Sequence, residues 1–372
     1  MKQPRVALIH DYLTQFGGAE ETLKAITELY PDAPIYTGIY KTQNTPEFLK
    51  KKTIISAKGF FFETFSKYFT WLMPFVFEGF DLRNYDLIIS DGTAWPKGVL
   101  TTPDQLHIAY IHTPPRFLYG YSVESTKRNA WYFKPAVTII DHYLRIWDFN
   151  AAQRPNFLLA NSKEVQRRIQ KFYKRDAKVI NPPVEINIPK SDVTEGQYYL
   201  AIGRLVAYKN FDLLIKAFNK TGLNLTIVGT GPEEKKLKRA SGKNIKFAGR
   251  VSDNEKHKLL RNALGVINIV SNEDFGIVPI EAFAHGKPVL AHKSGGHLET
   301  VKENVNGMFI EDLSVKSLVT KIKEFDTTIR EEKFDSKKIK EGAKEYSKER
   351  FKKEFKDFVD KKWEEFLQTR QK

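Results

Sequence analysis

Short apolar segments followed closely by glycine recur through the second half of the chain and constrain its fold most. They are residues 198–202 before Gly203, 225–228 before Gly229, 245–248 before Gly249, 265–270, and 288–291 before Gly295 and Gly296. Apolar runs of this length, separated by helical or loop segments, predict a buried parallel sheet. Such sheets bind ligands at the carboxyl ends of their strands, where these glycines stand.

The first half of the chain shows the same alternation. Its apolar segments are residues 5–9, 85–90, 107–112 and 157–160. After the first of them, Gly17 and Gly18 open a helix whose residues Ala19, Leu23 and Ile26 share one face. Glycines allow a backbone to approach a ligand closely, although they are also ordinary turn residues. The predicted fold class is α/β, with two Rossmann-like sheets.

The length of the chain favours two domains. At 372 residues it exceeds one average domain, and 41% hydrophobic residues suffice for two cores. Asn181-Pro182-Pro183 predicts an extended connector, because proline restricts itself and its predecessor. We predict a first domain over residues 1–183, a second over 184–345 and a terminal helix over 346–372. The aromatic stripe of that helix is Phe351, Phe355, Phe358 and Trp363.

The composition limits the classes of partner that the chain is expected to bind. A formal charge of +15 attracts phosphorylated substrates, anionic lipid or nucleic acid. Nucleic acid is disfavoured because no binding motif accompanies the charge. Cysteine is absent, which excludes disulfides, thiolate catalysis and cysteine metal sites. No window is typical of a transmembrane helix, and residues 6–9 are too short for a signal-peptide core, so we expect a cytoplasmic chain that begins near Met1.

Glu273 and Glu281 stand in the most informative segment, residues 271–289, which we term the glutamate cassette. An apolar run before it predicts a strand, and residues 278–285 predict a helix that Gly286 ends. The start of a helix attracts phosphate through its unpaired N–H groups. Carboxylates beside that phosphate would repel it unless they accept hydrogen bonds from hydroxyls. A nucleotide sugar, with sugars on both sides of a diphosphate, fits this pattern; two solvated acids are the alternative.

The cassette resembles the signature of the retaining nucleotide-sugar glycosyltransferases of family 4, whose GT-B fold has two Rossmann-like domains facing across a cleft. The matching positions are Glu273, Phe275, Gly276, Ile277, Val278 and Glu281. The resemblance implies that Glu273 contacts donor-sugar hydroxyls, that Glu281 holds the ribose, and that N–H groups after Gly276 contact phosphate and sugar. It also implies an acceptor-binding first domain, a donor-binding second domain and a terminal helix that crosses back to the first. His285 departs from the family's usual small residue or cysteine.

Arg204 and Lys209 resemble the family's phosphate-binding pair. Two cations at the end of a strand can stabilise a leaving diphosphate, whereas solvated surface cations are the alternative. The further donor-binding residues that the resemblance implies are Gly17 and Gly18, from the first-domain glycine loop, and Gly203, Gly229, Arg250 and Val251.

His112 resembles the histidine that the family places near the donor sugar. His112-Thr113-Pro114 is similar to a branch that contains O-antigen-type mannosyltransferases. A histidine at a strand end is otherwise structural or solvated. Asp11 and Arg116 are the predicted acceptor contacts. The predicted catalytic residues are His112, Arg204, Lys209 and Glu273.

The chain has no Asp-x-Asp triplet, which metal-dependent transferases commonly use to hold a diphosphate. We therefore predict transfer without a metal or a cofactor. The resemblance implies retention of configuration, with the leaving phosphate accepting the proton of the incoming hydroxyl. Glu273 then positions the sugar, and double displacement through a carboxylate is the alternative.

Residues 59–80 are rich in aromatic side chains. A helical stripe there consists of Phe61, Phe65, Phe69, Met73 and Phe77, interrupted by Pro74. The segment is either an acceptor-binding lip that lies on an anionic membrane or a set of helices packed in the core.

The predicted function is transfer of a hexose, with mannose from GDP-mannose favoured, to a lipid-linked or polysaccharide acceptor. The predicted place is the cytoplasm or, peripherally, the inner face of the cell membrane. A UDP-sugar donor such as UDP-glucose, a nucleotide-sugar epimerase, and a non-catalytic nucleotide or nucleic-acid binding protein are the alternatives.

Overall fold

A parallel β-sheet lies at the centre of each of the two units into which the chain divides. Met1–Pro183 and Lys348–Lys372 form the first unit, and Val184–Ser347 form the second. The computed structural model describes residues 3–14, 17–41, 46–57, 70–121, 134–186 and 197–370. Two Rossmann-like parallel sheets confirm the predicted α/β fold class.

The strands of the first sheet are β1 (Val6–Leu13), β2 (Ile35–Tyr40), β3 (Ile54–Ser56), β4 (Leu87–Gly92), β5 (Leu106–Ile111), β6 (Phe157–Ala160) and β7 (Lys178–Val179). Their order is β3-β2-β1-β4-β5-β6-β7, and neighbouring strands run parallel. The direction of strand addition reverses between β1 and β4. In open α/β sheets, ligands bind beside such a switch point, at the carboxyl ends of the strands.

Helices cover both faces of the first sheet. They are α1 (Gly18–Leu29), α2 (Met73–Glu78), α3 (Lys134–Ala151), α4 (Lys163–Tyr173) and α12 (Lys348–Arg370). Leu23 of α1 and Phe355 of α12 pack in the core on one face, and Phe77 of α2 and Trp147 of α3 pack on the other. The terminal helix begins at Lys348 rather than at residue 346, because residues 344–346 form a 3-10 turn that stays with the second unit.

The strands of the second sheet are β8 (Tyr199–Ile202), β9 (Leu225–Val228), β10 (Ile245–Gly249), β11 (Val266–Asn268), β12 (Val289–His292) and β13 (Gly307–Ile310). Their order, β10-β9-β8-β11-β12-β13, places a switch point between β8 and β11. The helices of this unit are α5 (Phe211–Thr221), α6 (Glu234–Ala240), α7 (Asp253–Asn262), α8 (Ile277–Ala284), α9 (His297–Thr300), α10 (Val315–Arg330) and α11 (Ser336–Ala343).

The predicted aromatic segment is described only in part. Residues 58–69, which hold Phe61, Phe65 and Phe69, lie outside the described residues. In the remainder, Met73 and Phe77 are buried in the first unit, as the core interpretation requires, whereas other aromatic side chains nearby are exposed. Within the described ranges, none of the helices has both the length and the apolar character needed to cross a bilayer.

Candidate active site

The glutamate cassette runs from the loop after β11 into α8, at the carboxyl edge of the second sheet. Gly276 precedes the helix with φ +94°, a conformation that glycine adopts without steric cost, and as the N-cap residue it has no side chain to cap the helix. Ile277 and Val278 begin α8, one residue earlier than predicted, and Pro279 has no N–H. The start of α8 therefore offers a few backbone N–H groups to an anion.

Lys209 forms an ion pair with the first glutamate of the cassette. Its Nζ lies 2.9 Å from Oε2 of Glu273, and the two side chains are 19% and 15% exposed. Burial lowers the pKa of Lys209, but the Glu273 carboxylate together with Tyr208 and Asp274 outweighs this effect, so the pKa is raised and the lysine is charged. Asn210 donates from Nδ2 to the carbonyl oxygen of Ile269 at 2.9 Å, which ties the turn after β8 to the cassette loop. The structure thus brings two predicted catalytic residues together.

The second glutamate has its own lysine, which sequence reasoning missed. Nζ of Lys256, on α7, lies 2.8 Å from Oε1 of Glu281. Burial lowers the pKa of Lys256, but Glu281 and then Asp253 outweigh it and raise the pKa. Lys256 and Glu281 are 25 positions apart, and nothing in that spacing predicts a pair. Glu281, like Glu273, is therefore a paired carboxylate.

Glycines of neighbouring loops pack against the cassette and against one another. Gly295 has φ +58°, and a Cβ there would overlap the backbone of Glu273. The N–H of Gly296 donates to the carbonyl oxygen of Glu273 at 2.8 Å. A Cβ on Gly229, where φ is +132°, would overlap the carbonyl oxygen of Gly203. Because only glycine fits at Gly229 and Gly295, the close packing of this sheet edge depends on them.

His285 follows the last residue of α8, within the cassette. Its Nδ1–H donates to the carbonyl oxygen of Glu281 at 2.7 Å, so its Nε2 accepts from Nδ1 of His257 at 3.2 Å. Burial lowers the pKa of His285 to about 4, and the ring is neutral at pH 7. The imidazole that replaces the family's small residue is thus accommodated by bonds to α8 and α7.

His297 is a buried histidine beside the start of α8 that sequence reasoning also missed. Its Nδ1–H donates to the carbonyl oxygen of His292 at 2.9 Å. Among the described residues, no group makes a hydrogen bond with its buried Nε2. A Cβ on Gly276 would lie 3.3 Å from the His297 ring, which places this acceptor nitrogen next to the cap of α8.

In the first unit, two histidines share one carboxylate beside the switch point. Asp91, in β4, accepts from Nδ1 of His10 at 3.0 Å and from Nε2 of His112 at 2.8 Å. The side chains of His10 and Asp91 are buried, and that of His112 is 12% exposed. Burial raises the pKa of Asp91, but the two histidines outweigh it and lower the pKa. His10 and Asp91 were not identified from the sequence, because only the register of the sheet brings them to His112.

Two further acids lie at this edge of the first sheet. Glu20 follows the Gly17-Gly18 turn at the start of α1, and burial raises its pKa. The Asp11 carboxylate accepts hydrogen bonds from the backbone N–H groups of residues 93–95. Asp11 therefore holds the turn after β4, and its contact with an acceptor stays a prediction.

The remaining predicted contacts of the donor and the acceptor include Arg204, Arg250, Val251 and Arg116. Arg204 follows β8 and Arg250 follows β10, both exposed, and Val251 packs against the core of the second unit. Arg116 is half-buried in the first unit, with its guanidinium 5.6 Å from the centre of the Tyr121 ring. Their roles toward donor and acceptor stay predictions.

Comparisons with known proteins agree with this architecture. Residues 184–345, nearly the whole second unit, match the family described as Glycosyl transferases group 1. The uncharacterized glycosyltransferase MJ1178 of Methanocaldococcus jannaschii is 28% identical over 279 residues, which cover 73% of this chain and 71% of the relative. The alpha-1,3/1,6-mannosyltransferase ALG2 of Kluyveromyces lactis is 27% identical over 373 residues, 80% of this chain and 71% of ALG2.

A solved structure shares the whole fold. Anabaena Alr3699/HepE, in complex with UDP and glucose, has a TM-score of 0.70 and 19% identity, covering 96% of this chain and 100% of that one. The two parallel sheets and this likeness show an α/β fold of two Rossmann-like domains, with structural neighbours of the GT-B class. In this chain, residues 184–345 are the part that resembles the group 1 glycosyl transferases.

Proposed function

We propose that the chain is a retaining, metal-independent hexosyltransferase of family 4 that moves mannose from GDP-mannose to a lipid-linked or polysaccharide acceptor. The Lys209–Glu273 ion pair beside the start of α8 carries this proposal. It combines a cation, a hydrogen-bond acceptor and helix N–H groups at one strand edge. A sugar diphosphate, which has hydroxyls next to phosphate oxygens, matches all three groups. The likeness to ALG2 supports mannose as the sugar.

Lys209 and Glu273 have complementary tasks in transfer. Glu273 accepts hydrogen bonds from the donor sugar and fixes its position, while Lys209 and Arg204 interact with the diphosphate. As the bond between C1 and the phosphate oxygen breaks, negative charge grows on the leaving group, and the cations and the start of α8 stabilise it. The leaving oxygen takes the proton of the acceptor hydroxyl, whose oxygen bonds to C1 on the same face. Configuration is retained without a protein nucleophile.

Glu281 and His112 act at the two ends of the donor. Glu281, oriented by Lys256, accepts hydrogen bonds from the ribose hydroxyls. His112 contacts the sugar that is transferred, and Arg116 contacts phosphate of the acceptor. The glycine turns at Gly17 and Gly203 supply backbone close to the diphosphate.

Donor binding and turnover test this function. A thermal-shift panel that includes GDP-mannose and UDP-glucose identifies the donor, and nucleotide release measures turnover. Lys209→Ala should lower kcat by about 10²- to 10³-fold, because a cation that stabilises the leaving group is lost. Lys344→Ala is the matched control, since it removes only an exposed pair with Glu341 and should leave kcat unchanged. Full turnover in Lys209→Ala, or no turnover of any nucleotide sugar, contradicts the proposal.

UDP-glucose is the second candidate donor. The structural neighbour Alr3699/HepE was solved with UDP and glucose, which favours a uridine nucleotide. A larger thermal shift and faster release with UDP-glucose than with GDP-mannose would replace mannose in the proposal and keep the transfer mechanism.

Metal dependence and stereochemistry are tested on the same reaction. Turnover should persist in EDTA, because Lys209 and Arg204 take the place of a divalent cation. Loss of turnover that Mg²⁺ or Mn²⁺ restores would contradict metal independence. The product anomer, followed by ¹H NMR, should have the configuration of the donor, and inversion would exclude the family 4 mechanism.

An exposed apolar surface on the first unit supports an acceptor held at a membrane. Ile139, Tyr143 and Ile146 follow one another at i, i+4 and i+7 on α3 and are 72%, 44% and 52% exposed. Phe75 of α2 is 59% exposed. Single exposed apolar residues are ordinary, but an aligned stripe is typical of a contact surface. The net charge of +15 favours an anionic bilayer as the partner.

Vesicle cosedimentation tests the membrane surface. The chain should sediment with vesicles of anionic lipid and remain in solution with neutral vesicles. Ile139→Glu with Ile146→Glu should abolish sedimentation, because two charges would replace the apolar stripe. Absence of binding to anionic vesicles at low salt would contradict the membrane proposal and leave the donor chemistry untouched.

A further inference from the structure

Three hydrogen-bonded side chains, those of His10, Asp91 and His112, lie across the carboxyl ends of β1, β4 and β5. His10 lies opposite Asp91 in the register of the sheet, and Asp91 lies opposite Tyr110, so these side chains point to one face. His112 follows β5, and its ring meets Tyr110 edge-on with 5.3 Å between the ring centres. Of His10, Asp91 and His112, His112 is the most exposed.

The shared carboxylate determines which ring nitrogens carry protons. An ionised Asp91 can only accept hydrogen bonds, so Nδ1 of His10 and Nε2 of His112 each carry a proton. Nδ1 of a neutral His112 is then the nitrogen that can accept from a hydroxyl. Other charged groups face these three side chains. Glu20 on α1 interacts electrostatically with both histidines, and Asp11 on β1 interacts in the same way with His10.

The cost of this arrangement argues for a task beyond packing. A buried carboxylate loses its hydration, and apolar side chains of similar volume often stabilise a core as well or better. The neighbouring positions on this face, Leu8 and Ile89, are filled in that apolar way. The three hydrogen-bonded side chains instead lie beside the switch point, where ligands bind, and His112, with its half-buried imidazole, is the last of them.

We infer that Asp91, supported by His10, is a positioning residue that fixes the orientation and the tautomer of His112. The inference rests on the proposed function, in which His112 contacts the donor sugar. Asp91 accepts the Nε2–H of His112 and leaves Nδ1 ready to accept from a sugar hydroxyl. The ring therefore needs neither rotation nor a change of tautomer when the donor binds, which is how a third group orients an imidazole in other enzymes.

Kinetics of Asp91→Asn test this inference. The amide cannot accept from both rings, so kcat should fall by about 10- to 10³-fold, with little change in the KM of the donor. The double variant Asp91→Asn with His112→Ala should lose no more than His112→Ala alone, because both changes act through one ring. Wild-type kcat in Asp91→Asn, or losses that multiply in the double variant, would overturn the inference.

Three further variants distinguish a positioning role of Asp91 from the general effect of losing a buried hydrogen bond. His10→Asn keeps an N–H close to the place of Nδ1 and should retain more of kcat than His10→Leu, which cannot donate to Asp91. Ser90→Ala is the matched control, because Ser90 precedes Asp91 on the opposite face of β4 and bonds to Nε2 of His107 at 2.8 Å. It removes a buried hydrogen bond to a histidine and should leave kcat unchanged. Equal kcat in the two His10 variants would count against the inference.

Side-chain NMR tests whether Asp91 fixes the tautomer of His112 and does not require a turnover assay. Long-range ¹H–¹⁵N spectra of the wild-type chain should show His112 as the Nε2–H tautomer, with its signals assigned from their loss in His112→Ala. Asp91→Asn should shift this ring toward the Nδ1–H tautomer. A wild-type His112 in the Nδ1–H form would overturn the inference, even if Asp91→Asn fails to fold. If no nucleotide sugar is turned over, the proposed function fails, and the tautomer still decides whether Asp91 positions His112.

Discussion

Lysine partners hold both glutamates of the cassette, Lys209 for Glu273 and Lys256 for Glu281. Each pair is only partly exposed, so solvent screens it less than it screens a surface pair. A cation next to each carboxylate limits its rotamers before a donor arrives. In the proposed function, both glutamates are therefore hydrogen-bond acceptors that are already oriented before the sugar and the ribose bind.

His285→Asn should make the stability of the second unit less sensitive to acid. Burial lowers the pKa of folded His285 to about 4, whereas an unfolded histidine has a pKa of about 6.5. Between these values only the unfolded chain binds the proton, so stability is complete above pH of about 6.5 and falls toward pH 4, by on the order of 3 kcal/mol. Asparagine keeps an N–H for the Glu281 carbonyl and does not titrate.

Urea unfolding at pH 7 and at pH 4.5 measures this effect. The difference in unfolding free energy between the two pH values should be smaller for His285→Asn than for the wild type. Equal differences in the two proteins would show that another group controls the acid sensitivity.

Sequence reasoning identified the residues of the candidate site that belong to local motifs. It missed the residues that are distant in sequence and become neighbours only in the fold. Glu273 and Glu281 stand in one continuous segment, so their spacing relative to the helix start is visible. Asp91 and His112 are 21 positions apart and meet only because β4 and β5 are neighbours in the sheet. Lys256 meets Glu281 for a similar reason, since α7 and α8 follow different strands of the second sheet. Pairing of this kind depends on register, which one sequence does not contain.

Among the elements, the loops at the carboxyl ends of β8, β9 and β12 decide how closely the second sheet edge packs. Their glycines accept backbone conformations and approaches that a Cβ would prevent. The cassette loop is held from two sides, by the Asn210 side chain and by the N–H of Gly296. The position of Glu273 therefore depends on neighbouring loops as well as on the cassette itself.

Gly295→Ala should destabilise the second unit by about 1–3 kcal/mol or more, because its φ of +58° strains an L residue and the new Cβ overlaps Glu273. It should also lower kcat, since the cassette loop must shift. Gly342→Ala is the matched control: Gly342 lies in α11 with open space around its Cβ position, and alanine should stabilise the helix by about 0.5–1 kcal/mol. Thermal unfolding compares the two variants, and equal effects would contradict the packing argument.

Strands rich in apolar residues were predictable, whereas some short or glycine-containing strands were not. Residues 157–160 and 225–228 form strands with the predicted bounds. Sequence reasoning missed β2, which contains Thr37 and Gly38, and β13, which begins with Gly307. It also ended the first strand at residue 9, whereas β1 continues through His10 and Asp11 to Leu13. His10 and Asp11 are polar residues of the candidate site, and their place inside β1 is the reason that the end of this strand was predicted too early.

Across the chain as a whole, the first unit is discontinuous and the second is continuous. The chain leaves the first unit at Pro183 and returns to it at Lys348. Helix α12 then contributes Phe351, Phe355 and Phe358 to the core between α1 and the first sheet. The stability of the first unit therefore depends on residues that follow the entire second unit.

Phe355→Ala should destabilise the first unit by about 3–5 kcal/mol, because it opens a cavity in a fully buried core. Hydrogen exchange should become faster in α1 and β5 and stay unchanged in α5. Phe325→Ala is the matched control, since Phe325 is equally buried in the second unit, and it should produce the opposite pattern. Faster exchange in α5 for Phe355→Ala would contradict the assignment of α12 to the first unit.

The return of α12 to the first unit sets the order in which the two cores are completed during synthesis. The second unit is one uninterrupted stretch and can fold once Ser347 has left the ribosome. The first unit, although made earlier, lacks three buried phenylalanines until α12 emerges, a delay of roughly 10–30 s at ordinary rates of elongation. During that interval, the apolar surface of α1 and the first sheet is uncovered. A chaperone that binds nascent chains would find its target in the half of the protein that was translated first.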